Sequence, residues 1–164
     1  MRNGYPKALL LSFSLLALAF PCTAEVDLVE VVKSKRRMYL IEKQVIVAEY
    51  HIALGKEPKG HKQQEGDQRT PEGLYILDYV KRNSAFYLSM HISYPNSHDK
   101  QQAKLRNVDP GGLIMIHGQK EWHPDFAPIA QQFDWTDGCI AISNQDMEQF
   151  IEMVKVGTPI YIRW

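Results

Sequence analysis

A chain of 164 residues with 19 basic and 19 acidic side chains carries no formal net charge, and 45% of it is hydrophobic. That length and balance suit one domain with a substantial core. Nothing in that balance points to nucleic acid, and no basic stripe with interleaved aromatics is present to follow a phosphate backbone, so no nucleic-acid partner is expected.

At the N-terminus, Arg2 and Lys7 flank the start of an uncharged, largely apolar run of 13 residues, Ala8 to Phe20, and Cys22-Thr23-Ala24 offers small residues for cleavage before Glu25. This pattern predicts a secretory signal peptide over residues 1–24 and one domain over 25–164. The run is short of the roughly 20 residues that a helical membrane span needs, so no stable span is expected after signal removal. Pro21, directly before Cys22, argues against a lipoprotein signal. Removing Arg2 and Lys7 leaves 17 basic against 19 acidic side chains, and removing Cys22 leaves Cys139 alone. No internal disulfide is then expected. A lone thiol in an oxidising compartment is a liability unless it is buried, paired with another chain, or used.

From Glu25 onward the pattern is mainly of strands. Val26 to Val32 is followed by the basic turn Lys33-Ser34-Lys35-Arg36, then by runs from Arg37 to Ile41 and from Gln44 to Leu54, an antiparallel pattern with polar connections. Gly55 to Gly66 is polar and without period, hence a loop; Thr70-Pro71-Glu72-Gly73 is turn chemistry leading to a strand over Leu74 to Val80. Phe86 to Ser93 reads as another strand, and Asn96 as the cap of a helix reaching Arg106. Asp109-Pro110-Gly111-Gly112 breaks the chain before a short apolar run, Leu113 to Ile116, that ends in His117-Gly118. Trp122 to Phe133 is irregular or partly helical, limited by Pro124 and Pro128. Ile140 to Ile142 is a short strand. Ser143 or Asn144 then caps an amphipathic helix to about Lys155, and Ile160 to Arg163 is the last strand.

The chemistry gathers around Thr136-Asp137-Gly138-Cys139-Ile140, where a glycine presents a cysteine at the start of a strand. The plainer alternative is a structural cysteine packed as a small hydrophobe. An unperturbed thiol is only slightly ionised at neutral pH, so a nucleophile needs a base, and His117 is the leading candidate. It ends one short strand while Cys139 begins another, so pairing those strands would join the two side chains. Gly118 to Gly138 is then a long excursion over the site, with Gly55 to Gly66 as a second candidate cover. The amides of Gly138 and Cys139 are candidates for an oxyanion hole. His91 is a second candidate base, against the alternative of a histidine bonded to its neighbours inside the sheet. His51, His61, His98 and His123 read as solvated or structural. A zinc site from His117, His123 and Cys139 matches no compact ligand spacing, so no metal and no cofactor is expected. Trp122, Trp135, Tyr75 and Tyr94 read as core or rim packing.

Four motifs carry a resemblance: Gly66-Asp67-Gln68-Arg69-Thr70-Pro71-Glu72-Gly73, His91-Ile92-Ser93-Tyr94-Pro95-Asn96, Ile114-Met115-Ile116-His117-Gly118 and Thr136-Asp137-Gly138-Cys139-Ile140. In this order the chain resembles the L,D-transpeptidase catalytic domain (YkuD type), in its small Gram-negative periplasmic branch. The resemblance implies a mainly β fold with a few helices, a mostly antiparallel β-sandwich, and a periplasmic location. It also implies attack by a thiolate on the amide after the third, diamino acid residue of a peptidoglycan stem peptide. D-alanine leaves, a thioester forms, and an amine of another stem or of a wall-attached lipoprotein takes the acyl group. Carried over by motif, Cys139 is the nucleophile, His117 the base, and Gly138 and Cys139 supply the oxyanion hole. The carbonyl of Gly118 is a candidate to orient the imidazole, and His91, Tyr94, Thr136 and Asp137 are candidate accessories. The sequence departs from the commoner motif in three places: Thr136 replaces serine, Asp137 is acidic, and Ala141 stands where arginine is expected. Asp137 would raise the thiol pKa unless it stabilises protonated His117. These departures keep open an amidase or peptidase that resolves the acyl-enzyme with water; a non-catalytic wall-binding module is a further alternative, which requires Cys139 to be inert.

Overall fold

The computed structural model describes residue 1 and residues 25–120 and 127–164. The signal-peptide expectation, apart from Met1, therefore lies outside the described residues, as do Trp122, His123 and Pro124.

Alternating valines give β1 (Leu28–Val32) its buried face, with Val29 and Val31 fully enclosed. A 3-10 turn over Lys33–Lys35 leads to β2 (Arg37–Glu42), which pairs antiparallel with both β1 and β3 (Val45–His51). Lys43 and Gln44 make the tight connection between β2 and β3 at φ 48° and 68°, the left-handed pair that a two-residue primed hairpin requires. The basic turn is not simply a surface feature. Lys33 is fully buried, its Nζ donating to the carbonyls of Gly60 and Thr70, each at 2.8 Å, and to Glu72 Oε1 at 3.0 Å. A buried ammonium persists when oxygens replace its water. Lys33 thereby fastens the polar loop beyond residue 55 to the body of the fold.

β4 (Gly73–Ser84) is longer than its apolar pattern predicts, because it serves two partners. Gly73 to Ile76 pair antiparallel with β8 (Pro159–Arg163); from Leu77 onward β4 pairs with β5 (Tyr87–Ile92), with a register slip between Leu77 and Val80. Such an irregularity bends a strand from one sheet into the next. β5 continues to β6 (Met115–His117), and β6 pairs in parallel with β7 (Ile140–Ala141). The full order is β3-β2-β1-β8-β4-β5-β6-β7, with β1–β8 and β6–β7 parallel and the other pairs antiparallel.

The expected third strand, Gln44 to Leu54, stops being regular at His51, and the residues after it change partner. Ala53 and Ala141 exchange two backbone hydrogen bonds at 2.9 Å, and Thr136 N–H donates to Leu54 O at 3.1 Å. The two ends of the ribbon are thus joined, and Leu40, Ile52, Leu77, Met90, Ile116, Ile140, Ile142 and Phe150 form the core between its faces. Asn96 caps α1 (Ser97–Arg106) in a capping box with Asp99. α2 (Ala127–Ala130) is the helical part of the irregular segment. α3 (Asn144–Met153) is capped by Ser143 and buries Met147 and Phe150 against the sheet. No helix among the described residues is long and apolar enough to cross a membrane.

Candidate active site

Parallel pairing of β6 with β7 sets Ile116 opposite Ile140 and His117 opposite Ala141, so Cys139 enters β7 beside Met115. The Met115 N–H donates to Cys139 Sγ at 3.4 Å, and the thiol points back at Leu113 O, 3.7 Å away. Cys139 and His117 form the shared wall of two cavities. One, of about 260 Å³, is faced by Tyr79, Phe86, Leu113 and Met115; the other, of about 400 Å³, by Phe86, Lys120, Trp135, Thr136 and Asp137.

The His117 ring is held on several sides. His117 is 3% exposed, its ring tilted against Phe86 at 4.6 Å between centroids and edge-on to Trp135 at 5.6 Å. Nδ1 lies 2.6 Å from the carbonyl of Gly118. A carbonyl can only accept, so Nδ1 carries the proton and Nε2 is left with a lone pair. The loop behind that carbonyl is fixed in turn: Gly118 N–H donates to Leu88 O at 3.0 Å, and Gln119 N–H to Asn144 Oδ1 at 2.6 Å. Asn144, freed from capping by Ser143, is a positioning residue that its helix-start context alone does not reveal. A side chain at 118 would collide with the Asn144 oxygen, which explains the glycine.

Burial sets the protonation states. It pushes the His117 pKa down against the smaller opposing effect of the Gly118 carbonyl, and pushes the Cys139 thiol up. For the thiol, the Met115 amide opposes that shift, the Asp137 charge adds to it and Lys62 opposes it. Both shifts favour the uncharged forms, a thiol and an imidazole that share two cavities.

Thr136 supplies the hydroxyl that the commoner serine would supply. Its Oγ1 donates to Cys139 O at 2.7 Å and accepts from Gly138 N–H at 3.1 Å, closing the turn that presents the thiol. Gly138 has φ +130°, and an added Cβ would stand 2.7 Å from Arg69 O, so both conformation and space demand glycine there. Of the two amides expected to form an oxyanion hole, one already has an acceptor. The Gly138 amide is engaged by Thr136, which leaves the Cys139 amide as the candidate donor.

The accessories divide. Asp137 is on the rim, its carboxylate bound by Lys56 Nζ at 2.9 Å and Gln68 Nε2 at 3.2 Å, and Lys56 holds its pKa below the usual range. It is not the partner of His117, whose Nδ1 belongs to Gly118. His91 lines neither cavity; Asp78 Oδ1 holds its Nδ1 at 2.7 Å and Tyr79 stacks on it at 4.6 Å, the bonded-in-sheet alternative. Tyr94 is equally remote, buried against Tyr75 and donating to Pro110 O at 2.9 Å. Ala141 is fully buried, with its carbonyl accepting from Ala53. Phe86 and Trp135, which pack the imidazole, carry no sequence signal beyond being aromatic. No cluster of metal-ligating side chains occurs among the described residues.

The model of the L,D-transpeptidase catalytic domain family, YkuD, matches residues 26–162. This chain belongs to that family. The putative L,D-transpeptidase YafK of Escherichia coli K12 is 26% identical over 132 residues, covering 77% of this chain and 46% of that protein. Among solved structures, the helical cell shape determining protein Pgp2 of Campylobacter jejuni is 28% identical with a TM-score of 0.64, covering 84% of this chain and 47% of Pgp2. An Enterococcus faecium L,D-transpeptidase variant shares the fold at a TM-score of 0.56 and 17% identity, covering 85% of this chain and 50% of that one. The mainly β, largely antiparallel architecture is therefore that of L,D-transpeptidases. The chain spans about half the length of the relatives it matches.

Proposed function

We propose that this chain is a cysteine acyltransferase of the L,D-transpeptidase type acting on peptidoglycan stem peptides, with Cys139 as nucleophile and His117 as base. The observation that carries the reading is the fixed tautomer of a buried imidazole in the same two cavities as the thiol. As Sγ attacks the amide carbonyl after the diamino acid residue, Nε2 takes its proton. The Cys139 amide faces the developing oxyanion. Collapse breaks the C–N bond, His117 returns the proton to the departing amine, and a thioester remains. An acceptor amine then loses its proton to Nε2, attacks the thioester and restores the thiol. No step calls for a metal or cofactor.

Under the signal-peptide reading the reaction takes place in the periplasm, and the likeness to a cell shape determining protein supports a role in shaping or cross-linking the wall. A wall-attached lipoprotein is a further candidate acceptor or leaving partner. A second reading has water resolve the thioester. It is favoured by Asp137 at the cavity rim and by Ala141 in place of a fixed arginine. Incubation with disaccharide tetrapeptide, with and without an amine acceptor, separates the two by product mass. A cross-linked dimer or exchanged terminal residue is the expected product, and shortened peptide alone would replace transfer by hydrolysis.

A further inference from the structure

We propose that Lys120 recognises the carboxylate of the amino acid whose nitrogen leaves, or attacks, the acyl-enzyme, so that it supplies the charge which Ala141 cannot. The inference rests on the acyl-transfer reading above and deepens it at the same site.

The starting point is where positive charge stands near the thiol. Ala141 is fully enclosed between β6 and the Ala53 segment, so its position offers only a methyl group. Lys62 is 4% exposed and bound to Asp67 Oδ1 at 2.8 Å and Gln64 O at 3.0 Å. Lys56 is taken by Asp137. Lys81 faces the smaller cavity only, whereas Lys120 faces the larger one together with His117 and Cys139, and among the described residues no carboxylate pairs with it. Its Nζ lies 5.2 Å from the centre of the Phe86 ring, and that ring lies 4.6 Å from the imidazole of His117. A cation–π contact at an exposed site is a weak tether, one that a carboxylate outcompetes.

The geometry of an α-amino acid completes the argument. The nitrogen that receives a proton from His117 is only about 2.5 Å from its own carboxyl carbon, two bonds away. A carboxylate on that amine must therefore lie beside the base. Lys120 and the imidazole both contact the Phe86 ring, which places this cation at the edge of the same cavity. The neighbouring negative charge, Asp137, is already compensated by Lys56 and Gln68, so it does not repel an incoming anion at full strength. In the step itself the amide C–N bond breaks, the proton passes from Nε2 to nitrogen, and the free amino acid departs with its carboxylate ionised throughout.

The test compares disaccharide tetrapeptide with the same compound ending in D-alaninamide, in the full-length protein and its Lys120→Ala, Lys120→Arg and Lys81→Ala variants. Lys81 faces the smaller cavity and serves as the control for charge alone. The wild type should prefer the free acid in kcat/KM by about tenfold or more, the range that one charge-assisted hydrogen bond commands. Lys120→Ala should bring that ratio close to one, Lys120→Arg should keep most of it, and Lys81→Ala should leave it as in the wild type. A substrate-free arm measures alkylation of Cys139 by iodoacetate relative to iodoacetamide, and Lys120→Ala should lower that ratio. Retention of both ratios in Lys120→Ala, or their collapse in Lys81→Ala, overturns the proposal. If the wild type turns over neither peptide, the stem-peptide reading fails and the carboxylate assignment falls with it, whatever the alkylation ratio.

Discussion

Replacing Lys33 with methionine should loosen the fold and the site together, because one buried ammonium ties three separate points of the 55–72 loop. Methionine keeps most of the apolar stem and its volume, so the loss is concentrated in the hydrogen bonds. Two carbonyls, of Gly60 and Thr70, lose donors at 2.8 Å, and Thr70 is fully buried. Each such group left without a partner costs about 1–3 kcal/mol. Glu72 has a side chain 25% exposed and recovers part of its loss by turning to water. The net cost is then about 2–4 kcal/mol, smaller than the full penalty for breaking an enclosed pair. For a domain of this size that corresponds to a fall in Tm of roughly 6–15 °C. The same loop brings Gln68 and Arg69 against Gly55 and Gly138, so kcat should fall as well. Thermal unfolding followed by circular dichroism, with Glu72→Gln as the milder control that keeps an acceptor, measures the first effect. A Lys33→Met protein melting within about 2 °C of the wild type would refute the argument that these oxygens depend on the ammonium.

Three further substitutions probe the catalytic neighbourhood. Gly118→Ala places a methyl group into the Asn144 oxygen and within 3.2 Å of Phe86 O, so the carbonyl that orients His117 must move; kcat/KM should fall by roughly 10–100-fold with only a modest change in Tm, as displacement of a base by a fraction of an ångström implies. Asp137→Asn removes a charge that raises the Cys139 pKa, so the pH profile of thiol alkylation should shift to lower pH. Lys56→Ala, by stripping Asp137 of its partner, should shift it the other way. Unchanged profiles in both variants would show that the rim carboxylate does not reach the thiol.

What the residue pattern revealed, and what it concealed, follows from the range of the interactions. That His117 and Cys139 line the same cavities is legible because each stands at the end of a short apolar run, and such runs pair inside a sheet. The carbonyl of Gly118 entered only through the family resemblance, since nothing in the local sequence shows that it turns toward Nδ1 of its neighbour. By contrast, the Gly138 amide was expected to be available because nothing in the local sequence says that the Thr136 hydroxyl turns inward. Lys33 lies in a run of four polar and basic residues that reads as solvated, and only the distant Thr70-Pro71-Glu72 turn makes its burial tolerable. His91 and Tyr94 sit in a motif that suggested accessory roles, yet their polar atoms go to Asp78 and Pro110. The switch of β4 between β8 and β5 was hidden for a related reason. A register slip depends on partners far along the chain, whereas apolar spacing reports only which residues alternate.

The central claim is that His117 and Cys139 form an acyl-enzyme, and intact-protein mass spectrometry tests it most directly. After brief incubation with disaccharide tetrapeptide, the protein should gain the mass of the peptide less its terminal D-alanine, on Cys139 alone. Cys139→Ala should gain nothing while melting as the wild type does, and His117→Gln should accumulate the adduct at least about a hundredfold more slowly. An adduct that persists in Cys139→Ala, or wild-type protein that consumes substrate at full rate in the presence of an alkylated thiol, would contradict the account.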